Sequence, residues 1–544
     1  MNSDKRLLAA VGLSFLILLL YPLYLKWVSP TPASAPGIIG SQTAENAGGN
    51  LKATSPAEMI QPPPELEENL HPFSHRHFNV EFSNRGGAIT KLELKNWGKR
   101  QRSETLIERA QDGSGAFLTS LSNQGIDFGT RIFSLQGLNE QSGEVQFSTE
   151  EPGKWRLLKR YRFSETTPAI SLEVEIKNLD TEKQLASLEV TTQFGSDSKQ
   201  RDNRFPQEAF IALPGKLVSE RLNKIEKKPY VVDGEILWVA LARKYFALVL
   251  YPNEPATAVM KITAGARGTE LVQGALELAP AEVEPGQVLK RSFLIYTGPQ
   301  YYRDLKSFGH GFEQILSHGF FGIFKLWLLL ALQWAHKVTG NYGWAILLIT
   351  VAIKLLFTPL THMSFESMKK MQALQPKLKA LQERYKNDQA ALSKETMELY
   401  KRNKVNPMGG CLPMVLQIPI FIAFYRVLAQ TVELKGEPFI FWIRDLSEPD
   451  RVWALPFSLP FIGDAVNILP LLMLGSMVWQ QRLTPQTAGT PEQQKMMMVM
   501  PVVFGFLFYS LPSGLVLYWF VNNMLSIFHQ LFIKGKALPH HEEA

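Results

Sequence analysis

From Gly343 to Leu360 the chain reads GWAILLITVAIKLLFTPL, an apolar run of the length that crosses a bilayer as a helix. Lys354 sits near its middle. An ammonium at that depth costs roughly 2.5–3.5 kcal/mol on insertion scales, so it must snorkel to the interface, meet a partner or face a water-filled cavity. The stretch sets two expectations: a helical membrane protein, and a polar site inside it that contains Lys354.

Around this run the 544 residues alternate polar and apolar blocks, with 45% hydrophobic residues and a net charge of +7. The basic residues gather beside apolar segments, which points to membrane orientation and gives no direct DNA-binding surface. The single cysteine, Cys411, excludes an intrachain disulfide framework and a cysteine-built metal cage. Leu7 to Val28 follows Lys5 and Arg6 and reads as an uncleaved anchor with its amino terminus in the cytoplasm. Its apolar run exceeds the roughly 7–15 residues of a signal-peptide core, and Pro36 would directly follow the Ala33-Ser34-Ala35 cleavage-like triplet. Domain 1–28 is thus an anchor, and the Pro-, Ala-, Gly- and Ser-rich 29–64 a flexible linker.

Residues 65–302 change to period-two alternation, as in Phe78/Val80/Phe82, Leu92/Leu94, Ile170/Leu172/Val174/Ile176 and Phe293/Ile295, with turn chemistry at Asn84-Arg85-Gly86-Gly87 and Glu284-Pro285-Gly286. This predicts a large β-sandwich of a kind that many sugar-binding enzymes share. His71, His75 and His77 lack a matching carboxylate pattern and are expected to hold no metal. No catalytic constellation stands out in this domain, and no cofactor is expected.

Two apolar segments follow, Phe320 to Val338 and Tyr342 to Leu360, and if both crossed the membrane the next loop would lie outside. That loop carries ten Lys and Arg against five Asp and Glu between 366 and 404. The positive-inside rule therefore lays the first segment, within a 303–341 region, in the outer interface, with Lys325, Gln333 and His336 on one side of a helix. Gly409 to Thr431, Leu469 to Arg482, Met496 to Leu511 and Ser513 to Phe532 then alternate direction, giving six transmembrane helices and cytoplasmic termini. The core is 342–534, and 535–544 is a cytoplasmic tail. Within the core, 364–404 has apolar residues at three- and four-residue spacing and a turn at Asn387-Asp388. It is predicted to be a helical hairpin whose first arm Pro376 kinks.

Three core helices carry polar stripes: Thr350, Lys354, Thr358 and Thr361; Gln417, with Phe421 one turn beyond; and Trp519, Asn522, Asn523 and Ser526. Each polar group alone reads more often as interhelical glue than as a functional site. Lys354 decides for a site, because no Asp or Glu lies in any other span to neutralise it, and it should therefore be hydrated in a groove. An intramembrane protease is not supported: Ser513 and His529 share one helix but lie about 24 Å apart at 1.5 Å per residue. A transporter would show internal repeats, and none is found.

The stretches NPMGGCLPMVLQIPIFIAFY from Asn406, FWIRDLS from Phe441 and LPSGLVLYWFVNN from Leu511 resemble the YidC membrane-protein insertase family. The resemblance covers the core from about Phe320 to Lys534, and the anchor and β-rich insert are similar to its Gram-negative branch. It implies a polytopic α-helical protein of the bacterial inner membrane with a periplasmic β-supersandwich and a cytoplasmic hairpin. It further implies a hydrophilic, positively charged groove, here lined by Lys354, Thr350, Gln417, Phe421, Trp519 and Asn522, with lysine where the family usually has arginine. The implied function is insertion and chaperoning of nascent membrane proteins, alone or with the Sec translocon, with the ribosome or signal-recognition machinery and the lipid bilayer as further partners. No enzymatic activity is implied.

Overall fold

Strands Leu70–Ser74 through Val288–Pro299 realise the alternation directly: Phe78, Val80 and Phe82 turn inward while Asn79 is exposed, and Ile170, Leu172, Val174 and Ile176 are all buried. The computed structural model describes residues 67–98, 101–196, 199, 207–319, 322–386, 388–403, 405, 412–459, 463–483 and 491–535, with the backbone alone described at 389, 412–419, 457–459, 491–497 and 533–535. The predicted anchor and linker, 1–64, lie outside the described residues.

Among the described residues the β-domain comprises a nine-stranded antiparallel sheet, centred on Val288–Pro299, Ala169–Asn178 and Trp155–Phe163, a six-stranded antiparallel sheet and a four-stranded meander. Apolar side chains of all three enter one core, from Phe78 and Leu92 through Ile170 and Leu248 to Leu276, as the inner faces of a sandwich must. Register keeps the pattern in phase: Leu172 faces Tyr161 on one side and Phe293 on the other. The Asn84–Gly87 turn works because Gly86 adopts φ +71°, where a Cβ would also stand 2.5 Å from Leu118 Cδ2.

Strands Trp238–Arg243 and Phe246–Pro252 are buried on both faces. Val239, Leu241 and Leu248 enter the sandwich core, whereas Trp238, Ala240, Ala247 and Val249 join a second core with Leu305, Phe312 and Ile315 and with Leu329, Ile346, Phe424 and Leu515 of the helical region. The β-domain is thus packed onto the helices through its largest sheet.

The amphipathic helix Gly322–Thr339 ends at Gly340, whose φ of +70° closes the last turn and whose N–H donates to the His336 carbonyl. One residue on, the Asn341 side-chain oxygen accepts from the Gly343 N–H at 2.8 Å and caps the next helix, Tyr342–Ala373. The polar stripe of the amphipathic helix faces the protein: Lys325 donates to Gln430, Gln333 to Glu433 at 2.8 Å, and His336 stacks on Tyr342. Burial raises the Glu433 carboxyl above its ordinary range, and the Gln333 hydrogen bond opposes that shift. The opposite side of the helix leaves Ile323, Phe324, Trp327, Trp334 and Val338 exposed.

Tyr342–Ala373 is a 32-residue helix, about 48 Å long at 1.5 Å per residue. It continues past the expected span end at Leu360 and through the beginning of the expected hairpin. The break comes at Leu374, and Pro376 falls in the first turn of a new helix, Gln375–Arg384, where its missing N–H costs nothing. Pro376 therefore starts a helix and does not kink one. That helix and Gln389–Arg402 belong to a separate unit, 373–406, in which Asp388 caps the second helix by accepting from the N–H groups of Ala390 and Ala391.

Among the described residues two helices are long and apolar enough to cross a membrane, Tyr342–Ala373 and Ser513–Phe532, while Ile420–Gln430 and Met498–Phe508 are apolar parts of the helices Leu412–Gln430 and Pro491–Phe508.

Candidate functional site

The long helix 342–373 meets 412–430 and 513–535 around Lys354. Its Nζ donates to Ser526 Oγ at 2.6 Å, and that hydroxyl in turn donates to the Asn522 carbonyl at 2.8 Å. The serine proton is committed to the backbone, so a lone pair is turned to the ammonium. Among the described residues no carboxylate pairs with Lys354. Beside it lies a cleft of about 40 Å³ lined by Thr350, Ile353, Phe357 and Thr361 from the long helix, Ile420, and Tyr518 and Asn522. Since one water needs at least roughly 10–15 Å³ of such space, the cleft has room for about two or three.

The threonine stripe is less polar than its composition. Thr350, Thr358 and Thr361 each donate to the carbonyl four residues back, Ile346, Lys354 and Phe357, at 2.6, 2.7 and 2.9 Å. Their protons are spent within the helix, which leaves acceptor lone pairs as their contribution to neighbours.

Of the six predicted groove residues, Lys354, Thr350 and Asn522 come together at the cleft. Phe421 and Trp519 meet each other edge to face at 5.0 Å, and with Phe504 and Phe508 they make an adjoining aromatic cluster. The Trp519 indole N–H is buried with no hydrogen-bond partner among the described residues. Gln417 falls in helix Leu412–Gln430, but its side chain lies outside the described residues. The two readings of the last stripe divide between neighbours: Asn522 lines the cleft, while the Asn523 amide donates to Ser476 Oγ at 3.1 Å and joins two helices.

Sequence reasoning missed Tyr518 as a cleft residue and Ser526 as the partner of Lys354. Their signal was spacing: Tyr518, Asn522 and Ser526 recur at intervals of four and share one face, whereas Trp519 and Asn523 start a neighbouring one. Of the three histidines near residue 75, His71 lies against the Phe147 ring, with centroids 6.3 Å apart. His75 is buried against Phe73 and Phe163, and His77 bonds the Glu165 carbonyl.

A β-sandwich packed through one sheet onto apolar helices, one of them charged at mid-length, defines a membrane protein with a large domain outside the bilayer. The family model described as 60Kd inner membrane protein matches residues 334–540, and that of the YidC periplasmic domain matches 73–331. The membrane protein insertase YidC of Pelobacter propionicus is 33% identical over 97% of this chain and 99% of its own length. That of Geotalea uraniireducens is 34% identical over 98% and 100%. A crystal structure of an active YidC insertase with its first transmembrane domain resolved matches at 18% identity and a TM-score of 0.37, covering 87% of this chain and 93% of that one. The chain belongs to the YidC family of inner-membrane insertases, which is not a family of enzymes.

Proposed function

We propose that this chain inserts nascent membrane proteins into the inner membrane, and that the cleft at Lys354 is the polar end of the path they take. The single observation that carries the mechanism is an ammonium at the middle of a long apolar helix, bonded to one serine hydroxyl beside open space and unpaired with any described carboxylate. A fixed positive charge at that depth attracts an acidic translocated segment, and polar walls shorten the low-dielectric distance it must cross. The aromatic cluster of Phe421, Phe504, Phe508 and Trp519 offers the following apolar segment a surface from which it partitions into lipid. Cleft and cluster adjoin, so charge and apolar capture act on consecutive parts of one substrate.

In this reading the chain crosses the membrane six times with both termini in the cytoplasm, and the 375–402 helical pair receives substrates from the ribosome or signal-recognition machinery. It works alone or beside the Sec translocon. The basic residues of that stretch, among them Lys377, Lys379, Arg384, Lys386, Lys394, Lys401 and Arg402, favour an acidic or nucleic-acid-rich docking partner there.

The test is insertion of a substrate with an acidic translocated tail, followed by protease protection. Lys354→Arg is expected to retain insertion and Lys354→Ala to reduce it by about tenfold, equivalent to about 1.4 kcal/mol. A neutral-tailed substrate should be affected less. Wild-type rates for every acidic tail in Lys354→Ala would remove the charge from the mechanism.

A further inference from the structure

Past Lys354 the polar faces of the two helices run on to a pair of histidines that takes no part in holding the ammonium. Ser526 meets Lys354, and His529 follows it by three residues, so the two share a side of helix Ser513–Gly535. On the long helix His362 comes directly after Thr361 of the cleft wall. It lies about 12 Å beyond Lys354 toward the carboxyl end, at 1.5 Å per residue. The rings of His362 and His529 stand 6.2 Å apart between centroids, and the buried Phe365 meets the His529 ring edge to face at 5.9 Å.

Neither imidazole has spent its hydrogen bonds. His529 is half-buried and His362 exposed; the His529 Nδ1 is buried without a hydrogen-bond partner, and among the described residues neither ring forms an ion pair or a hydrogen bond. The charged groups that act on the His529 ring are the Lys354 ammonium and the His362 ring, both from the long helix. Ser526, one turn back on its own helix, is uncharged and engaged by Lys354. Helices Ile468–Leu483 and Leu412–Gln430, which also contact this one, add no charge to the ring among the described residues.

Two imidazoles with unused nitrogens, beside a lysine and beside no acid, suit a ligand that brings the acid. An imidazolium donates a charge-assisted hydrogen bond to a carboxylate, and the carboxylate in turn favours the imidazolium. Histidine is the side chain for which that exchange falls between about pH 5 and 8. We propose that His362 and His529 are a second specificity-determining pair on the substrate path, which receives the acidic segment of a nascent protein on the cytoplasmic side of Lys354 and passes it on to the ammonium. Resting on the insertase reading, the pair adds a proton to it: Lys354 offers a fixed charge, whereas the histidines offer one only when protonated. The proton comes from water, and no bond to the substrate is made.

Insertion into vesicles by the purified full chain, with the same buffer on both faces, tests this with two substrates that differ only in carrying Asp or Asn in the translocated tail. The ratio of acidic to neutral insertion should fall about threefold between about pH 6 and 8 in the wild type, the scale of a partly exposed charge pair. The carboxylates of the tail do not titrate in that range. His362→Gln/His529→Gln should hold the low ratio at both pH values. Lys354→Ala should lower the ratio at both and keep its fall with pH, so that a failure at Lys354 and a failure at the histidines are told apart. A wild-type ratio that is flat with pH, or a fall that survives in the double variant, would overturn the proposal. Equal loss of acidic and neutral insertion in the double variant would reduce the pair to a packing contact and overturn it as well. If the double variant loses its thermal transition, His362→Gln, on the exposed ring, carries the same test with a smaller shift, and an unshifted profile there overturns it.

Discussion

Lys159 and Lys354 are both lysines in apolar surroundings, and the two regions hold them in opposite ways. Lys159, in strand Trp155–Phe163 of the β-domain, has no exposed surface. Its Nζ donates to the carbonyls of Gly86 and Phe117 at 2.9 and 2.5 Å and lies 5.8 and 5.7 Å from the ring centres of Phe133 and Tyr161. Burial pushes its pKa down to about 7. Lys354 has one rotatable hydroxyl and an open cleft. A closed shell of backbone dipoles leaves a lysine nothing to do but hold two loops onto a strand. An open shell leaves ammonium donors for something that arrives.

The largest expected effect breaks the closed shell. Lys159→Ala removes the stem and strands two buried carbonyls, and it should destabilise the β-domain by about 3–5 kcal/mol. Hydrogen exchange of the Trp155–Phe163 amides would read this as a loss of protection. Protection within about 1 kcal/mol of wild type would make the Lys159 shell dispensable and erase the contrast with Lys354.

Accessibility gives the next largest contrast. With Cys411 replaced, a cysteine at position 354 should react with a membrane-impermeant thiol reagent from the cytoplasmic side and not from the other. A cysteine at Val174, which is buried and faces Lys159 across the strand pair, should react only on opening, at least about a hundredfold more slowly if opening costs about 3 kcal/mol. Labelling of position 354 from both sides would indicate a through-channel, and from neither a sealed core; both defeat the groove.

The two lysines also differ in how far the sequence discloses them. Trp155, Leu157, Lys159, Tyr161 and Phe163 alternate inward, so period two already points Lys159 into the sandwich. Its acceptors lie 73 and 42 residues away and follow no local rule. Lys354 is conspicuous because a bilayer makes its charge expensive, yet its partner Ser526 is 172 residues distant. Strand patterns such as Phe78/Val80/Phe82 were legible because one face packs and the other meets water. Trp238–Arg243 and Phe246–Pro252 carry no such alternation because the second face is covered by helices. The threonine back-bonds were open to local reasoning, since a helical Thr reaches the carbonyl four residues back whenever nothing better is near.

The pH dependence of the β-domain follows from the closed shell. The folded pKa of Lys159 lies below the ordinary 10.5, so between about pH 7 and 10 the unfolded chain binds the proton that the fold rejects. Stability should therefore rise with pH across that window, by at most about 1.4 kcal/mol per unit. Below it both states hold the proton and the term is flat. Above about pH 10 the trend reverses, because burial raises the pKa of Tyr161 and the unfolded chain then loses its phenolic proton first. Lys159→Met should abolish the rising limb, and a rise that survives the substitution would place its origin elsewhere.

The smallest expected effect is the sharpest test of the open shell. Ser526→Ala removes the hydroxyl that Lys354 meets at 2.6 Å, but the adjoining cleft has room for a water, and a bridging water is nearly as good a partner as a direct one. Insertion of an acidic-tailed substrate should then fall by no more than about threefold, well short of the loss in Lys354→Ala. Ser526→Leu, which sets a larger apolar side chain where the ammonium now meets a hydroxyl, should cost more than Ser526→Ala. If Ser526→Ala were as damaging as Lys354→Ala, lysine and serine would act as one fixed unit, as Lys159 does with its two carbonyls, and an incoming segment would find no free donor at Lys354.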